Sequence, residues 1–226
     1  MSLLSFTIKK IRNIKAIFGS FRAKVTLVLV ISLFFILFLS DFLIYRFSMD
    51  SEFNLLREKL MAIVQTASLM VDADMLMKIP LSRSGMYGPE YKAIAEKLRR
   101  IKAVNPVIKY IYTMAKTEQP GTLQFIVDPN PLVAKNARRG PTAFPGDRYY
   151  AFRFPEMAKG FLGQTDDRQM MVDEWGVTLS AYAPIHDASG EAVAILGIDM
   201  AADDVYILQK KIFWRSVLVL ILGVIL

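Results

Sequence analysis

The chain has no cysteine and only one histidine, His186, among its 226 residues. Without cysteine it forms no disulfide and has no thiolate to act as a nucleophile or metal ligand. One histidine without cysteine cannot supply a zinc site. Neither G-x-S-x-G nor H-E-x-x-H occurs, so two common sequence patterns of hydrolytic enzymes are missing.

Acidic residues are missing from residues 1–24, which carry six basic ones. Residues 47–209 hold 18 basic and 20 acidic residues, so the net charge of +7 arises at the flanks. A basic segment before a first membrane crossing places the N-terminus in the cytoplasm and the following residues outside. Nucleic-acid binding is the alternative, but no aromatic-basic interleaving accompanies these charges, and we expect no nucleic-acid partner.

Two apolar segments bracket the chain. Residues 25–45 are interrupted only by Asp41, and their helical length of about 31 Å is enough to cross a hydrocarbon core. A cleaved signal peptide is the alternative, but its apolar region would be shorter and followed by small residues. Residues 212–226 begin a second apolar segment that is too short to span. We expect a truncated second transmembrane helix and a longer natural protein.

Residues 46–211 are predicted to form one extracytoplasmic domain. Apolar residues at three- and four-residue spacing, with no Gly or Pro between Arg46 and Ala73, predict one helix from residue 25 to about residue 71. Pro89 and Pro106 frame a second predicted helix over residues 89–104. A short helix is expected near residues 155–161, and an exit helix from residue 203 into the second apolar segment.

Residues of strand type follow these helices at a period of two. They predict strands over residues 107–115, 122–127, 168–173, 177–185 and 191–200. Turns at Pro120-Gly121 and at residues 187–190 join two pairs of them as hairpins. The predicted class is α+β, with an antiparallel sheet of about five strands and the long helix on one face. Residues 128–147, with four Pro and two Gly, are predicted to form a long loop.

The closing part of this domain has a familiar pattern. Residues 173–200 read D-E-W-G-V-T-L-S-A-Y-A-P-I-H-D-A-S-G-E-A-V-A-I-L-G-I-D-M, and residues 110–114 and 125–128 read Y-I-Y-T-M and F-I-V-D. These stretches resemble extracytoplasmic Cache sensor domains, also called PDC or PAS-like domains. The resemblance covers most of residues 46–211.

That resemblance implies a ligand-sensing input module of a bacterial or archaeal transmembrane receptor, as in two-component systems. The domain would lie outside the inner or plasma membrane, bind a small molecule and transmit helix displacement inward. The output domain would follow the second crossing, and in such receptors it is a kinase, cyclase, phosphodiesterase, phosphatase or chemoreceptor domain. We also expect a homodimer through the long helix.

The resemblance implies a ligand pocket between the outer face of the sheet and the long loop. The candidate ligand-binding residues are Arg148, Tyr149, Tyr150, Arg153, Trp175, Ser180, Tyr182 and Asp199. The Arg148-Tyr149-Tyr150 stretch is loosely similar to the phrase that holds a ligand carboxylate in amino-acid-binding relatives. Because arginine presents a planar donor fork, we expect a small carboxylate or an amino acid. The alternative is that these aromatic residues pack the loop and the arginines face water.

Alternation along the last strand places Asp199 on one face with Val193, Ile195 and Gly197. Asp199 is then either a ligand contact or a cap for the following helix. Thr178, Ser180 and Tyr182 form the matching polar row on the neighbouring strand, and Trp175 either stacks on a ligand or closes the hairpin.

Other interpretations have less support from the residues. Asp166, Asp167, Asp173 and Glu174 could offer hard oxygen ligands to a cation, but their spacing matches no metal loop, and clustered surface acids are usually solvated. We predict no metal, no cofactor and no catalytic residue. A membrane-anchored extracytoplasmic enzyme and a protein-binding ectodomain are the alternative functions.

Overall fold

The computed structural model describes residues 20–129, 143–173 and 175–225. The chain divides into two compact units, one of residues Met1–Asp50 with Gln209–Leu226 and the other of Ser51–Leu208. Helix α1 (Phe21–Leu69) begins in the first unit and ends in the second. The predicted helix from residue 25 to about residue 71 is thus confirmed.

The first unit pairs the beginning of α1 with the end of the last helix of the chain. Ser216 Oγ donates a hydrogen bond of 2.6 Å to Asp41 Oδ2, and the Tyr45 and Phe213 rings meet edge-on at 6.4 Å. Within the described residues, α1 is the one helix that is long and apolar enough, by length and composition alone, to cross a membrane. The second crossing stays a prediction.

The second unit is built on one antiparallel sheet with short helices around it. The strands are β1 (Tyr110–Lys116), β2 (Thr122–Val127), β3 (Arg148–Tyr150), β4 (Thr165–Asp166), β5 (Met171–Asp173), β6 (Gly176–His186) and β7 (Ala192–Ala201). Their order is β3-β2-β1-β7-β6-β4, and β5 also pairs with β6. The helices are α2 (Ala73–Met77), α3 (Pro89–Val104), α4 (Pro155–Lys159) and α5 (Ala202–Ile225), with 3₁₀ turns at Arg83–Tyr87 and Ala151–Arg153.

Within the described residues, the sheet therefore has seven strands rather than about five. The two additional strands, β3 and β4, contain only three and two residues. A strand of that length has no readable alternation, and it forms here because β2 and β6 offer backbone groups to pair with. The predicted strand over residues 168–173 begins only at Met171. The predicted loop over residues 128–147 falls largely outside the described residues.

Alternation gives the sheet two different apolar faces. One face packs against α1 and α3 in a cluster that includes Leu60 of α1, Leu98 of α3, and Leu196 and Ile198 of β7, which we call the helix-side core. The other face holds a smaller cluster of Tyr112, Met114, Leu123, Phe125, Ala143, Tyr149, Ala151, Phe154, Met157, Phe161, Tyr182 and Ile195. Strand β7 contributes to both clusters, so it lies at the centre of the domain as well as at the centre of the sheet.

The helix-side core makes the first prediction. Leu196 of β7 is fully buried, so Leu196→Ala removes buried methyl groups and leaves a cavity. We expect the free energy of unfolding to fall by about 2–5 kcal/mol. Guanidinium unfolding of the full chain in detergent micelles measures this change.

The matched control is Leu162→Ala, because Leu162 is 89 % exposed. It should change the free energy of unfolding by less than about 0.5 kcal/mol. Equal destabilisation by the two substitutions would contradict the described core.

Candidate functional site

The register of the three central strands sets two rows of side chains on the face away from α1 and α3. Tyr110, Asp199 and Ser180 stand opposite one another on β1, β7 and β6. Directly opposed residues of antiparallel strands share a face, so these side chains are neighbours. The predicted alternation of β7 is confirmed for Ile195, which packs in the smaller cluster, and for Leu196, which packs in the helix-side core. It is wrong for Val193, which was predicted on the Ile195 face but packs against the helix-side core, because the pairing of β6 with β7 shifts its register between Ile185 and His186.

The second row is Tyr112, Gly197 and Tyr182. A Cβ atom at Gly197 would lie 2.7 Å from Cζ and 2.9 Å from Oη of Tyr112, closer than real side chains approach. Glycine at this position therefore lets the Tyr112 ring lie across β7. The ring in turn brings its hydroxyl group to Asp199 on the same strand.

A small cavity of about 20 Å³ lies over these rows. That volume accommodates roughly one water molecule. Its wall consists of five aromatic rings, two methionines and three carboxyl groups, contributed by Tyr110, Tyr112, Met114, Phe125, Asp128, Tyr149, Met157, Asp173, Trp175 and Asp199. We call this cavity and its lining residues the aromatic pocket.

The rings of the aromatic pocket pack on Phe125. Its ring centroid lies 5.6 Å from that of Tyr112, 6.2 Å from that of Tyr149 and 5.7 Å from that of Trp175. Tyr149 and Trp175 are themselves 5.6 Å apart. These are ordinary edge-on and tilted aromatic contacts, which hold the cavity nearly closed.

Two carboxyl groups of the pocket receive hydrogen bonds from neutral donors. Tyr112 Oη donates to Asp199 Oδ1 at 3.1 Å. Asp173 accepts from Tyr149 Oη at 3.0 Å and from the backbone N–H of Trp175 at 2.8 Å. Neither carboxyl group forms an ion pair within the described residues.

Burial controls the protonation of Asp199, which is only 7 % exposed. Loss of hydration, together with the nearby Asp173 charge, raises the pKa of Asp199 to about 7, although hydrogen bonds from Ser180 and Tyr112 oppose the shift. Burial and the Asp199 charge likewise raise the pKa of Tyr112 well above its usual value. Around neutral pH, Asp199 is therefore poised between its neutral and ionised forms.

A second acid lies behind Asp199. Asp167 is 3 % exposed, and burial raises its pKa to about 7, although hydrogen bonding to Ser180 opposes the shift. Its Oδ2 atom has no hydrogen-bond partner in the described part of the chain. Ser180 thus lies close to both buried acids.

The acids near β4 and β5 do not converge on a cation. Asp166 pairs with Arg57 at 2.7 Å, Asp167 is buried beside Ser180, and Asp173 lines the aromatic pocket. Glu174 lies outside the described residues. The expectation that these acids are simply solvated is wrong for Asp167. Its backbone N–H donates a hydrogen bond to the carbonyl oxygen of Ser180, which holds Asp167 beside β6. No group of three metal-ligating side chains occurs among the residues described.

The structure brings three of the eight predicted ligand-binding residues into the aromatic pocket. These are Tyr149, Trp175 and Asp199. Ser180 and Tyr182 are buried beside it on β6. The remaining three, Arg148, Tyr150 and Arg153, are exposed and do not line it. On β3 the alternation that turns Tyr149 inward turns Arg148 and Tyr150 outward.

Several pocket residues are not singled out by the sequence patterns. Tyr110, Tyr112 and Met114 alternate along β1, and Phe125 and Asp128 belong to or follow β2. The alternation of these residues along the sequence indicates that they share one face of the β1–β2 hairpin. What the patterns could not give was the pairing of β1 with β7, which sets this row beside Asp199.

Comparison with solved structures identifies the fold. The V. cholerae histidine kinase DctB sensor domain superposes with a TM-score of 0.53 and 13% identity, covering 74% of this chain and 57% of that one. The ligand-binding domain of the Campylobacter jejuni chemoreceptor Tlp3 in complex with 4-methylisoleucine gives 0.47 and 9%, covering 77% and 62%. The E. coli DcuS sensor domain gives 0.45 and 12%, covering 70% and 96%.

These likenesses, at such low identity, concern the fold. The expected Cache or PDC sensor fold is confirmed by the DctB likeness, of whose structure the chain spans little more than half. No family model and no curated protein matches the sequence.

The second prediction follows from the raised pKa of Asp199, and the substitution Asp199→Asn tests it. The unfolded carboxyl group has a pKa of about 4, so between about pH 4 and pH 7 the folded state holds more protons than the unfolded state. The contribution of Asp199 to the free energy of unfolding therefore falls as the pH rises through this window. The substituted amide has no charge to bury, so we expect D199N to have a higher Tm than the unsubstituted chain at about pH 8, with a smaller difference at about pH 5.

Thermal unfolding of the full chain at the two pH values measures this difference. Asp74→Asn is the matched control, because it makes the same chemical change at an exposed position on α2. An unchanged difference in Tm between D199N and the unsubstituted chain at both pH values would contradict a buried, destabilised carboxylate.

Proposed function

We propose that the chain is the extracytoplasmic ligand-sensing input module of a membrane signal-transduction receptor. The observation that carries the proposal is the place of Asp199. This residue lines the aromatic pocket, and β7 ends two residues later at Ala201. Helix α5 begins at Ala202 without an intervening loop. A pocket wall is thus directly continuous with the exit helix.

Ligand entry requires the aromatic pocket to open. A cavity of about 20 Å³ holds little more than one water, so an organic ligand has to separate rings that now touch. The rings belong to β1, β2, β3 and the residue before β6, whereas Asp199 belongs to β7. A ligand that binds the open arrangement better shifts the equilibrium toward it. The shift would reach α5 through β7.

The membrane arrangement and the dimer are parts of the same proposal. Residues 25–45 and the apolar end of α5 would cross the membrane, with residues 46–211 outside. Two copies would associate through α1, and an output domain beyond the second crossing would read the displacement of α5. The DctB likeness supports this proposal, because the matched structure is the sensor domain of a histidine kinase.

The proposed topology makes the third prediction. The chain contains no cysteine, so single cysteines report their positions without background. Ser189→Cys lies in the exposed turn between β6 and β7, and Ser5→Cys lies in the basic tail. In spheroplasts, a membrane-impermeant maleimide should label the cysteine at position 189 at once and the cysteine at position 5 only after the membrane is permeabilised. The opposite pattern of labelling would invert the proposed orientation.

Binding of a small molecule makes the fourth prediction. A metabolite panel of carboxylates, amino acids and amines, tested by thermal shift on the full chain in nanodiscs, should contain at least one compound that raises the Tm. Asp199→Ala should weaken the binding of that compound by about tenfold or more, because it removes a buried charged partner.

Asp74→Ala serves as the matched control and should leave the affinity unchanged. If Asp199→Ala also leaves the affinity unchanged, the ligand binds elsewhere. If no compound raises the Tm while a partner protein is retained on the immobilised chain, the protein-binding alternative replaces the sensor proposal.

A further inference from the structure

An ion pair between α1 and the sheet differs from the other ion pairs of the described residues. Arg57 donates from Nε and Nη2 to the two carboxylate oxygens of Asp166, at 2.7 and 3.0 Å. Its Nε atom also donates to the backbone carbonyl oxygen of Asp167 at 3.1 Å. The other three ion pairs in this part of the chain join residues three or four apart in one helix. Arg57 thus holds α1 against residues 165–167, which we call the clamp segment.

The contact between Arg57 and Asp166 is partly shielded from water. The two side chains are 25 % and 16 % exposed, and the planar guanidinium group meets the carboxylate with two donors. Ion pairs of this geometry are stronger than single contacts at an open surface, which contribute little. Loss of this pair would therefore release α1 from the edge of the sheet.

The clamp segment also lies next to the aromatic pocket. Thr165 Oγ1 donates a hydrogen bond of 2.6 Å to Glu156 of α4, the helix that contributes a methionine to the pocket wall. The backbone N–H of Asp167 donates to the carbonyl oxygen of Ser180 at 2.9 Å, and Ser180 stands opposite Asp199 on β7. A movement of the clamp segment would thus affect α1 and the neighbourhood of the pocket together.

Asp167 gives the clamp segment a buried group that can gain or lose a proton. The residue is 3 % exposed, and its Oδ2 atom has no hydrogen-bond partner among the described residues. Arg57 reaches the backbone carbonyl of Asp167 but forms no ion pair with its carboxyl group in this part of the chain. A buried charge without an opposite charge is costly. Burial accordingly raises the pKa of Asp167 to about 7.

The groups that face Asp167 offer its ionised form little compensation. They come from several elements and are Arg57 of α1, Glu156 of α4, Asp166 of β4, Ser180 and Tyr182 of β6, and Asp199 of β7. The negative charges of Glu156 and Asp166 disfavour a further one, and only the hydrogen bonds to Ser180 oppose the shift among these groups. Asp166 already occupies the donor fork of Arg57. Lys159 pairs with Glu156, and Arg168 is exposed.

We propose that residues 165–167 are a proton-responsive clamp on α1, closed through Arg57 while Asp167 is neutral and opened when Asp167 ionises. The ionised carboxyl group would be relieved by moving into water, and this movement would carry away the oxygen atoms that hold Arg57. The clamp segment can move because β4 has only two residues and lies at one end of the strand order. In the proposed orientation, the receptor would respond to external pH as well as to a small molecule. The inference thus goes beyond the proposed ligand-sensing function.

The test measures the distance between α1 and the clamp segment at different pH values. Because the chain contains no cysteine, Leu55→Cys on α1 and Gln169→Cys, two residues beyond the clamp segment, give two exposed positions for spin labels. Double electron–electron resonance would use the full chain in nanodiscs, with excess unlabelled chain to suppress distances between copies. The ionised fraction of a group with this pKa rises from about a tenth near pH 6 to about nine tenths near pH 8. We expect a second, longer distance whose share rises several-fold over this range.

Variants assign the response to individual residues. Asp167→Asn keeps the shape of the side chain without its charge, so D167N should keep the short distance at both pH values. Arg57→Gln removes the ion pair and should give the longer distance at both. Lys59→Gln is the matched control, because it loses the same charge at an exposed position of α1 and should keep the pH profile of the unsubstituted chain. Asp199→Asn should also keep a pH response.

A distance distribution that does not change with pH in the unsubstituted chain would overturn the inference. The same pH response in D167N, or an unchanged profile in Arg57→Gln, would also overturn it. A response that is lost in Asp199→Asn and kept in D167N would assign the titrating group to Asp199 instead. If Arg57→Gln does not fold, the profile of D167N decides. No ligand enters this experiment, so its failure leaves the sensing proposal intact, which the metabolite panel tests separately.

Discussion

The burial of the Asp199 carboxyl group is the constraint on which the rest of the site depends. Strand pairing fixes Asp199 between Tyr110 and Ser180, and Gly197 leaves room for the Tyr112 ring that hydrogen bonds to it. Surrounded by rings and neutral donors, the group loses hydration, and its pKa rises to about 7. The folded protein thus carries a carboxyl group whose ionised form is costly.

Strand β7 connects this constraint to the rest of the domain. One of its faces packs Leu196 and Ile198 against α1 and α3, while the other presents Gly197 and Asp199 to the aromatic pocket. Because packed cores move between discrete arrangements rather than deform continuously, our proposal expects a change at Asp199 to reach the helix-side core. The strand then continues into α5. Sensing and transmission would accordingly use the same ten-residue strand.

Much of the fold was predictable because its signals are local. Helical periodicity predicted α1 and α3, and alternation predicted the two faces of β6 and β7. The short strands β3 and β4 were not predictable, since they depend on partners distant in sequence. Arg148 was expected in the pocket from the resemblance to amino-acid-binding relatives, but its place on β3, which the sequence did not predict, turns it outward. The position of the β1 rings beside Asp199 was not predictable either, because it depends on the pairing of β1 with β7, and no local pattern specifies that pairing.

The pH at which the Asp199 carboxyl group loses its proton tests the central claim most directly. Infrared difference spectra of the full chain and of D199N, recorded from about pH 4 to about pH 9, isolate the bands of this group. We expect the C=O band of a neutral carboxyl group, absent from D199N, to disappear near about pH 7. Its disappearance near about pH 4, as for a hydrated aspartate, would contradict the buried Asp199 carboxyl group.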